Sequence, residues 1–399
     1  MGTTASTIRP PRTSTTPLGW LRRNLFNSWL NTLITLFLLW AIPTVLYQLA
    51  RWIIGEATWD PVIANLRLLM TGRYPLDQVW RVQVCVAIVF ALLGLSAGVW
   101  RGIVRAVAAG LAIIAAALAL LPFGLDTRVW LLGIAALIGL GYAASFRAPK
   151  QLRLPTTVAW LVSPFVLLLL IRGGFGLLPL VETGLWGGLL LTIMLAVVGI
   201  VASFPLGVLL ALGRRSSLPV VKWFCVLYIE IVRGVPLITV LFMSVLMLPL
   251  FLPANLRVDN LARVMVAITL FSAAYLAENI RGGLQAVPTG QVEAARALGL
   301  NVFQNTFLIV LPQALRAVIP AIVGQFISLF KDTSLVSIVG LAELLGIAGI
   351  VINQPEWLAV TGGVEREVLL FVALIYWMFC FALSQVSRRI ELNLGVGTR

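Results

Sequence analysis

Side chains capable of chemistry are few in this chain and oddly placed. Its 399 residues include no histidine, and Cys85, Cys225 and Cys380 each fall within an apolar run with no paired spacing. Ser-His-Asp and Cys-His constellations cannot be built, and neither a disulfide framework nor the usual zinc sites are supported. The cysteines read as small core hydrophobes. No Gly-x4-Gly-Lys-Ser/Thr phosphate loop occurs. The sequence therefore carries no catalytic residue and no metal site, and any ATP that drives this protein must be hydrolysed on another chain.

What remain are ionisable residues inside apolar sequence. Glu230 and Arg233 lie three apart, as do Glu278 and Arg281, so each pair can neutralise itself on one helix face. Lys331 and Asp332 are adjacent and point in different directions; followed by Thr333 and Ser334, they need other partners or water. All seven, without Arg281, are candidates for a substrate path or a gate: Glu230, Arg233, Glu278, Lys331, Asp332, Thr333 and Ser334. Gly234 and Pro236 are expected to loosen or kink their helix.

One polar stretch stands apart. Pro288, Thr289 and Gly290 end one helix and start another, Gln291 to Leu298 is small and helix-forming, and Gly299 supplies a left-handed stop. Asn301 with Gln304 fits a capping box for a second short helix, which Pro312 is expected to terminate or kink. The spacing predicts a helix-turn-helix lying on the membrane face. Ala294 and Ala295 keep one side of it thin, Gly299 allows a sharp turn, and Glu293 offers a charge at the rim, features that suit docking of a partner protein.

The elements that hold these residues follow from composition. At 60% hydrophobic and 11% charged, the chain has too little polar surface to enclose itself in water. About ten apolar runs approach the roughly 20 residues needed to cross a bilayer. They cover 29–50, 82–99, 103–122, 128–146, 157–172, 185–212, 222–250, 262–284, 314–335 and 367–387. Rich in Leu, Ala and Gly and not alternating, they read as helices and not as barrel strands, giving an all-α integral membrane protein. With both termini inside, the inner loops receive 18 of the 29 Lys and Arg, and most acids fall outside. The net charge of +14 is thus spread over short loops and does not form a nucleic-acid-binding face.

Residues 1–28 read as a cytoplasmic leader, and 29–175 as an extension of about five transmembrane helices. Within it, Arg51 to Arg81 carries Trp52, Trp59, Tyr74 and Trp80 among charges, the composition of an interfacial belt. From 183 to 390 the texture changes to longer loops and intramembrane charges, with the polar loop at 286–312.

Glu293-Ala294-Ala295, Gly299, Ile309, Leu311 and Pro312 together resemble the cytoplasmic signature of bacterial ABC importer permeases. Tyr228 to Pro236, Tyr275 to Gly283, Gly290 to Ala295 and Lys331 to Leu335 resemble the polar amino-acid branch of that superfamily. The resemblance covers about 183–390; the added helices resemble the larger subunits of general L-amino-acid permeases. It implies a five-helix type I importer core in a bacterial inner membrane, moving polar or broad-range L-amino acids. It also implies a second permease subunit, two ATP-binding subunits carrying ATP and Mg, and a periplasmic amino-acid-binding protein. Glu293, Ala294, Ala295 and Gly299 would form the ATPase-coupling contact. An ion-coupled secondary transporter is the alternative; it predicts an inverted repeat, which is not visible, and leaves the 286–312 loop without a role.

Overall fold

A computed structural model describes residues 16–120, 124–174, 176, 178–253, 255–360 and 362–395. The expected leader at 1–28 lies outside the described residues as far as residue 15. The chain divides into two compact units, residues 1–59 and 60–399.

The first unit holds α1 (Pro17–Asn24) and α2 (Trp29–Arg51). The Thr16 hydroxyl accepts from the Gly19 N–H to start α1, and Ser28 accepts from Asn31 to start α2. α2 buries none of its residues, as expected of a helix whose solvent is lipid.

The second unit begins with two short helices, α3 (Asp60–Ala64) and α4 (Leu66–Thr71), followed by four long ones. These are α5 (Val79–Trp100), α6 (Gly102–Leu118), α7 (Leu125–Phe146) and α8 (Pro149–Arg172). Then come α9 (Gly188–Arg214), α10 (Pro219–Gly234), α11 (Leu237–Phe242), α12 (Leu248–Phe251) and α13 (Asn260–Ala286). The remainder is α14 (Thr289–Ala297), α15 (Val302–Gln304), α16 (Leu311–Asp332), α17 (Leu344–Ile352), α18 (Pro355–Leu358) and α19 (Glu365–Leu394).

Over the whole chain, eight helices among the described residues are long and apolar enough to cross a membrane, with a ninth if the bent pair Pro219–Gly234 and Leu237–Phe251 counts as one span. The tenth expected run, 103–122, is the shorter apolar helix Gly102–Leu118. The bend in the ninth is 106°. Its cause is local: a residue before proline is pushed from helical to extended backbone, and Val235 before Pro236 has ψ 135°. The expected kink at Gly234 and Pro236 is thus a full break.

Small residues set the helix spacing. In α5 and α7 a Cβ on Gly94 would lie 2.4 Å from the Ile138 carbonyl oxygen, and one on Gly141 2.8 Å from that of Ala91. In the second half Gly199 faces Ile268 and Gly207 faces Leu276, so α9 and α13 run parallel, with the broken α10–α12 span returning between them. Gly283 faces Ala314, which makes α16 antiparallel to α13. Without a hydrophobic drive between helices in lipid, such close backbone approach supplies the packing energy.

The stretch from Asp60 to Arg81 is exposed only in part: Trp80 is 45% exposed, whereas Tyr74 and Arg81 are buried. Tyr74 is buried, its hydroxyl donating to the Ile171 carbonyl at 2.7 Å, and it joins one apolar cluster with Cys85, Trp186, Leu191 and Leu241. Gly72 bridges to Trp186 backbone to backbone. Asn65 and Gln354 exchange amide hydrogen bonds of 3.0 and 2.9 Å. The aromatic composition read as surface because nothing in the sequence names the distant carbonyls that satisfy it. These contacts fasten the extension to the far end of the core, opposite α14.

Candidate functional site

The expected helix-turn-helix forms as α14, a turn, and α15. Gly299 has φ +78°, and the N–H groups of Leu298, Gly299 and Leu300 close the end of α14 onto Ala294, Arg296 and Ala295. Asn301 and Gln304 make the reciprocal capping box: the Gln304 N–H donates to Asn301 at 2.8 Å, and the Asn301 N–H donates to the Gln304 side chain at 3.1 Å. Two of the expectations change. Pro312 does not end a helix. It sits in the first turn of α16, where its missing N–H costs least, after a π-helical stretch Asn305–Val310. Ala295 is buried, so the thin outer face is made by Ala294 and Gly299 with Glu293, all exposed.

Leu298, Val302 and Phe303 extend that face, at 81%, 82% and 68% exposed. Sequence reasoning passed over them; the signal was an apolar residue on either side of a Gly turn that lies outside every spanning run. Asn305 lies buried beside them with its carbonyl oxygen unpaired.

A second constellation lies one element inward. The local pair Glu278 and Arg281 forms as expected: the Arg281 Nε donates to both carboxylate oxygens at 2.9 and 3.0 Å, and Nη2 contacts Oε1. Glu230 and Arg233, however, turn to other helices. Arg214, at the end of α9, reaches Glu230 at 2.9 Å and Glu278 at 3.4 Å, while Arg233 lies 3.8 Å from Glu278 and stacks over the Tyr275 ring. Glu278 thus sits among three guanidiniums contributed by α9, α10 and α13. In sequence Arg214 reads only as an inner-loop charge, because its partners lie 16 and 64 residues away. Three cations against two anions, each partly shielded from water, tie three helices together immediately before α14.

Toward the opposite end, Lys331 to Ser334 divides in the structure. The Thr333 side chain is fully buried and donates to the Phe330 carbonyl at 2.7 Å, and Ser334 donates to the Lys331 carbonyl at 2.8 Å. Asp332 accepts from Ser328 at 3.4 Å. Lys331 and Ser334 open on a cleft of about 290 Å³ walled by Leu345, Leu369, Val372, Ala373 and Tyr376.

Tyr376 connects this cleft to a carboxylate that the sequence reading placed only in an outer loop. Glu343 is fully buried. It caps α17, accepting from the Leu345 and Gly346 N–H groups at 2.9 and 2.8 Å, and from the hydroxyls of Tyr376 at 2.9 Å and Thr192 at 3.4 Å. This turn lies outside the spanning helices. Burial raises its pKa against the pull of those four donors.

The described residues form apolar spanning helices with the capped, exposed α14 turn at one end. Residues 203–394, which contain every candidate above except Thr192, match the family described as binding-protein-dependent transport system inner membrane component. The inner membrane amino-acid ABC transporter permease protein YhdY of Escherichia coli K12 is 38% identical over 97% of this chain and 97% of its own length. This chain belongs to the amino-acid ABC transporter permeases. The glutamate/glutamine/aspartate/asparagine transport system permease protein BztC of Rhodobacter capsulatus is 38% identical over 94% of this chain and 93% of its own. The glutamate/aspartate import permease protein GltK of Escherichia coli O6:H1 matches 49% of this chain at 36% identity, covering 87% of its own length. Among solved structures, a chain of an amino acid ABC transporter crystallised with histidines covers 52% of this chain at 30% identity, with a TM-score of 0.45. The two long relatives are matched across both the extension and the core. The chain is a multi-pass membrane permease.

Proposed function

We propose that this permease imports polar or broad-range L-amino acids through a type I ABC mechanism, with residues 183–390 as the translocating core and 29–175 as its extension. Two ATP-binding subunits dock on α14 and carry the ATP and Mg. A second, homologous permease subunit completes the path, and a periplasmic binding protein delivers the amino acid. Both termini then lie in the cytoplasm, as the loop charges favour.

The single observation that carries this reading is the capped, exposed α14 turn standing directly beyond the arginine-ringed Glu278. Motion of a docked ATPase applied at Glu293, Ala294 and Gly299, with Ala295 packed behind them, passes along α13 into the charges that join it to α9 and α10. That is how a rigid-body push becomes a change in helix arrangement. Lys331, Asp332 and Ser334 are the groups we assign to the amino-acid path or its gate, with Tyr376 on the same cleft; Thr333, also expected there, supports it through the backbone.

Reconstitution in liposomes tests the reading. Labelled amino-acid uptake should require the ATPase, ATP and the binding protein together, and uptake by this chain without ATP would overturn it. Glu293→Lys reverses a charge at the rim and should cut substrate-stimulated ATP hydrolysis about tenfold. Undiminished docking and hydrolysis in that variant would remove α14 from the coupling role.

A further inference from the structure

The end of the molecule opposite α14 holds a cleft of about 600 Å³, inside the span of roughly 300–1,000 Å³ typical of small-molecule sites. It is built jointly by the extension and the core. The extension contributes Arg73 and Arg172, and the core contributes Glu182, Asp259 and the backbone around Gly187 and Ala342. Its charges are balanced but not mutually neutralised. No ion pair joins the two arginines to the two acids, and among the described residues the side chains of Arg73, Arg172 and Glu182 have no hydrogen-bond partner.

Two helix beginnings reach the cleft with different chemistry. α9, 27 residues long, begins at Gly188 with no side-chain cap; its Gly188 N–H is taken by the Ala342 carbonyl at 2.9 Å, and the positive end of its dipole adds a field that favours an anion in the cleft. α13 is already capped by Asp259, which accepts from the Ala262 N–H and from Thr183 at 2.5 Å. The wall also contains two buried polar atoms without partners, the indole N–H of Trp186, a residue 3% exposed, and the amide oxygen of Asn260. Natural proteins leave few such groups unpaired unless a ligand or water completes them.

We propose that this cleft is an external binding site for a free zwitterionic α-amino acid. The carboxylate is taken by Arg172, Arg73 and the uncapped start of α9, and the ammonium by Glu182 and Asp259. The volume beyond those groups leaves the side chain little constrained, which fits a broad range of amino acids. This gives the extension a direct part in transport: without Arg73 and Arg172 the cleft would keep its acids and lose its cations. The proposal rests on the reading of the protein as an amino-acid importer and names where that cargo first meets this chain.

The test uses the assembled permease in lipid nanodiscs, without binding protein and without ATP, and measures binding of labelled L-glutamine, L-glutamate, L-arginine and L-leucine. The wild type should bind at least one of them, and 4-aminobutanamide, which is glutamine without its carboxylate, should not compete. Arg172→Gln and Glu182→Gln should each weaken binding about tenfold, whereas Lys222→Gln, exposed in the first turn of α10 and outside the cleft lining, should leave this step intact. Both substituted residues are exposed, so thermal melting should be unchanged. Absence of binding in the wild type, or binding indifferent to both substitutions, overturns the proposal. It is also overturned if the substitutions disturb only docking of the binding protein, since the cleft would then be a protein contact. ATP-driven uptake with no cleft effect rejects the cleft and spares the importer reading, whereas failure of the complete wild-type system to take up any amino acid rejects both.

Discussion

Removing the charge of Glu278 is the sharpest perturbation of the inner charge network. Glu278→Gln preserves volume and one carbonyl oxygen but deletes the one carboxylate that forms an ion pair with Arg281 and Arg233 among the described residues, and one of the two that pair with Arg214. The carboxylate is 21% exposed and its three arginines are 23%, 34% and 29% exposed, so the network lies between the surface and the buried limit. Surface pairs are worth about 0–1 kcal/mol, and breaking a fully buried pair costs about 3–5 kcal/mol. The bidentate Arg281 contact is charge-assisted and alone worth about 1.5–3 kcal/mol. Three guanidiniums left with one carboxylate add repulsion, so a total of about 3 kcal/mol is expected.

Glu230→Gln is the internal control. Glu230 is 55% exposed and has a single arginine partner, which places it near 0.5 kcal/mol. Urea or thermal unfolding in detergent gives the stabilities, and a double-mutant cycle of Glu278→Gln with Arg281→Gln isolates the pair. Coupling is read in the same variants as the ratio of transport to ATP hydrolysis, which should fall with Glu278→Gln and hold with Glu230→Gln. If the two single variants cost the same, or the cycle returns no interaction energy, the hub description is wrong.

Two further expectations concern backbone and cap. Gly72 and Gly299 both have positive φ, but a Cβ at Gly72 would lie 2.4 Å from the Gly187 Cα whereas one at Gly299 meets nothing. Gly299→Ala should therefore lose only the roughly 1 kcal/mol of left-handed strain, while Gly72→Ala should lower the melting temperature distinctly further by prising the extension from the core. Glu343→Gln replaces one of two carboxylate oxygens, of which Oε1 accepts from the Gly346 N–H and Oε2 from the Leu345 N–H and the Tyr376 and Thr192 hydroxyls, so the new amide N–H faces a donor on either side. A loss of about 2 kcal/mol is expected in denaturant unfolding, with Glu343→Asp retaining part of the cap and less than half of that loss.

Much of the fold was legible because lipid is a demanding solvent. A spanning segment must satisfy its own backbone and show apolar side chains, so composition and run length reveal helices directly. Local backbone devices were equally readable: the Asn301 and Gln304 box, the left-handed Gly299 and the break at Pro236 depend on neighbours within a few residues. The same locality explains the near misses. Pro312 reads in sequence as a stop or a kink because the rule concerns helix interiors, whereas it stands in the first turn of α16 after the π-helical stretch Asn305–Val310.

The sequence by itself determined that this is a helical membrane protein with a capped two-helix loop between spans, since those properties reside in composition and short-range pattern. Only the tertiary structure decided which charges meet. Arg214 joins Glu278 across 64 residues, Glu343 finds Tyr376 and Thr192, and Tyr74 joins Trp186 and Leu191 in one buried apolar cluster. Coulomb attraction and hydrogen bonding act over a few ångströms in space, and no spacing along the chain encodes which distant helices the fold will bring within that reach.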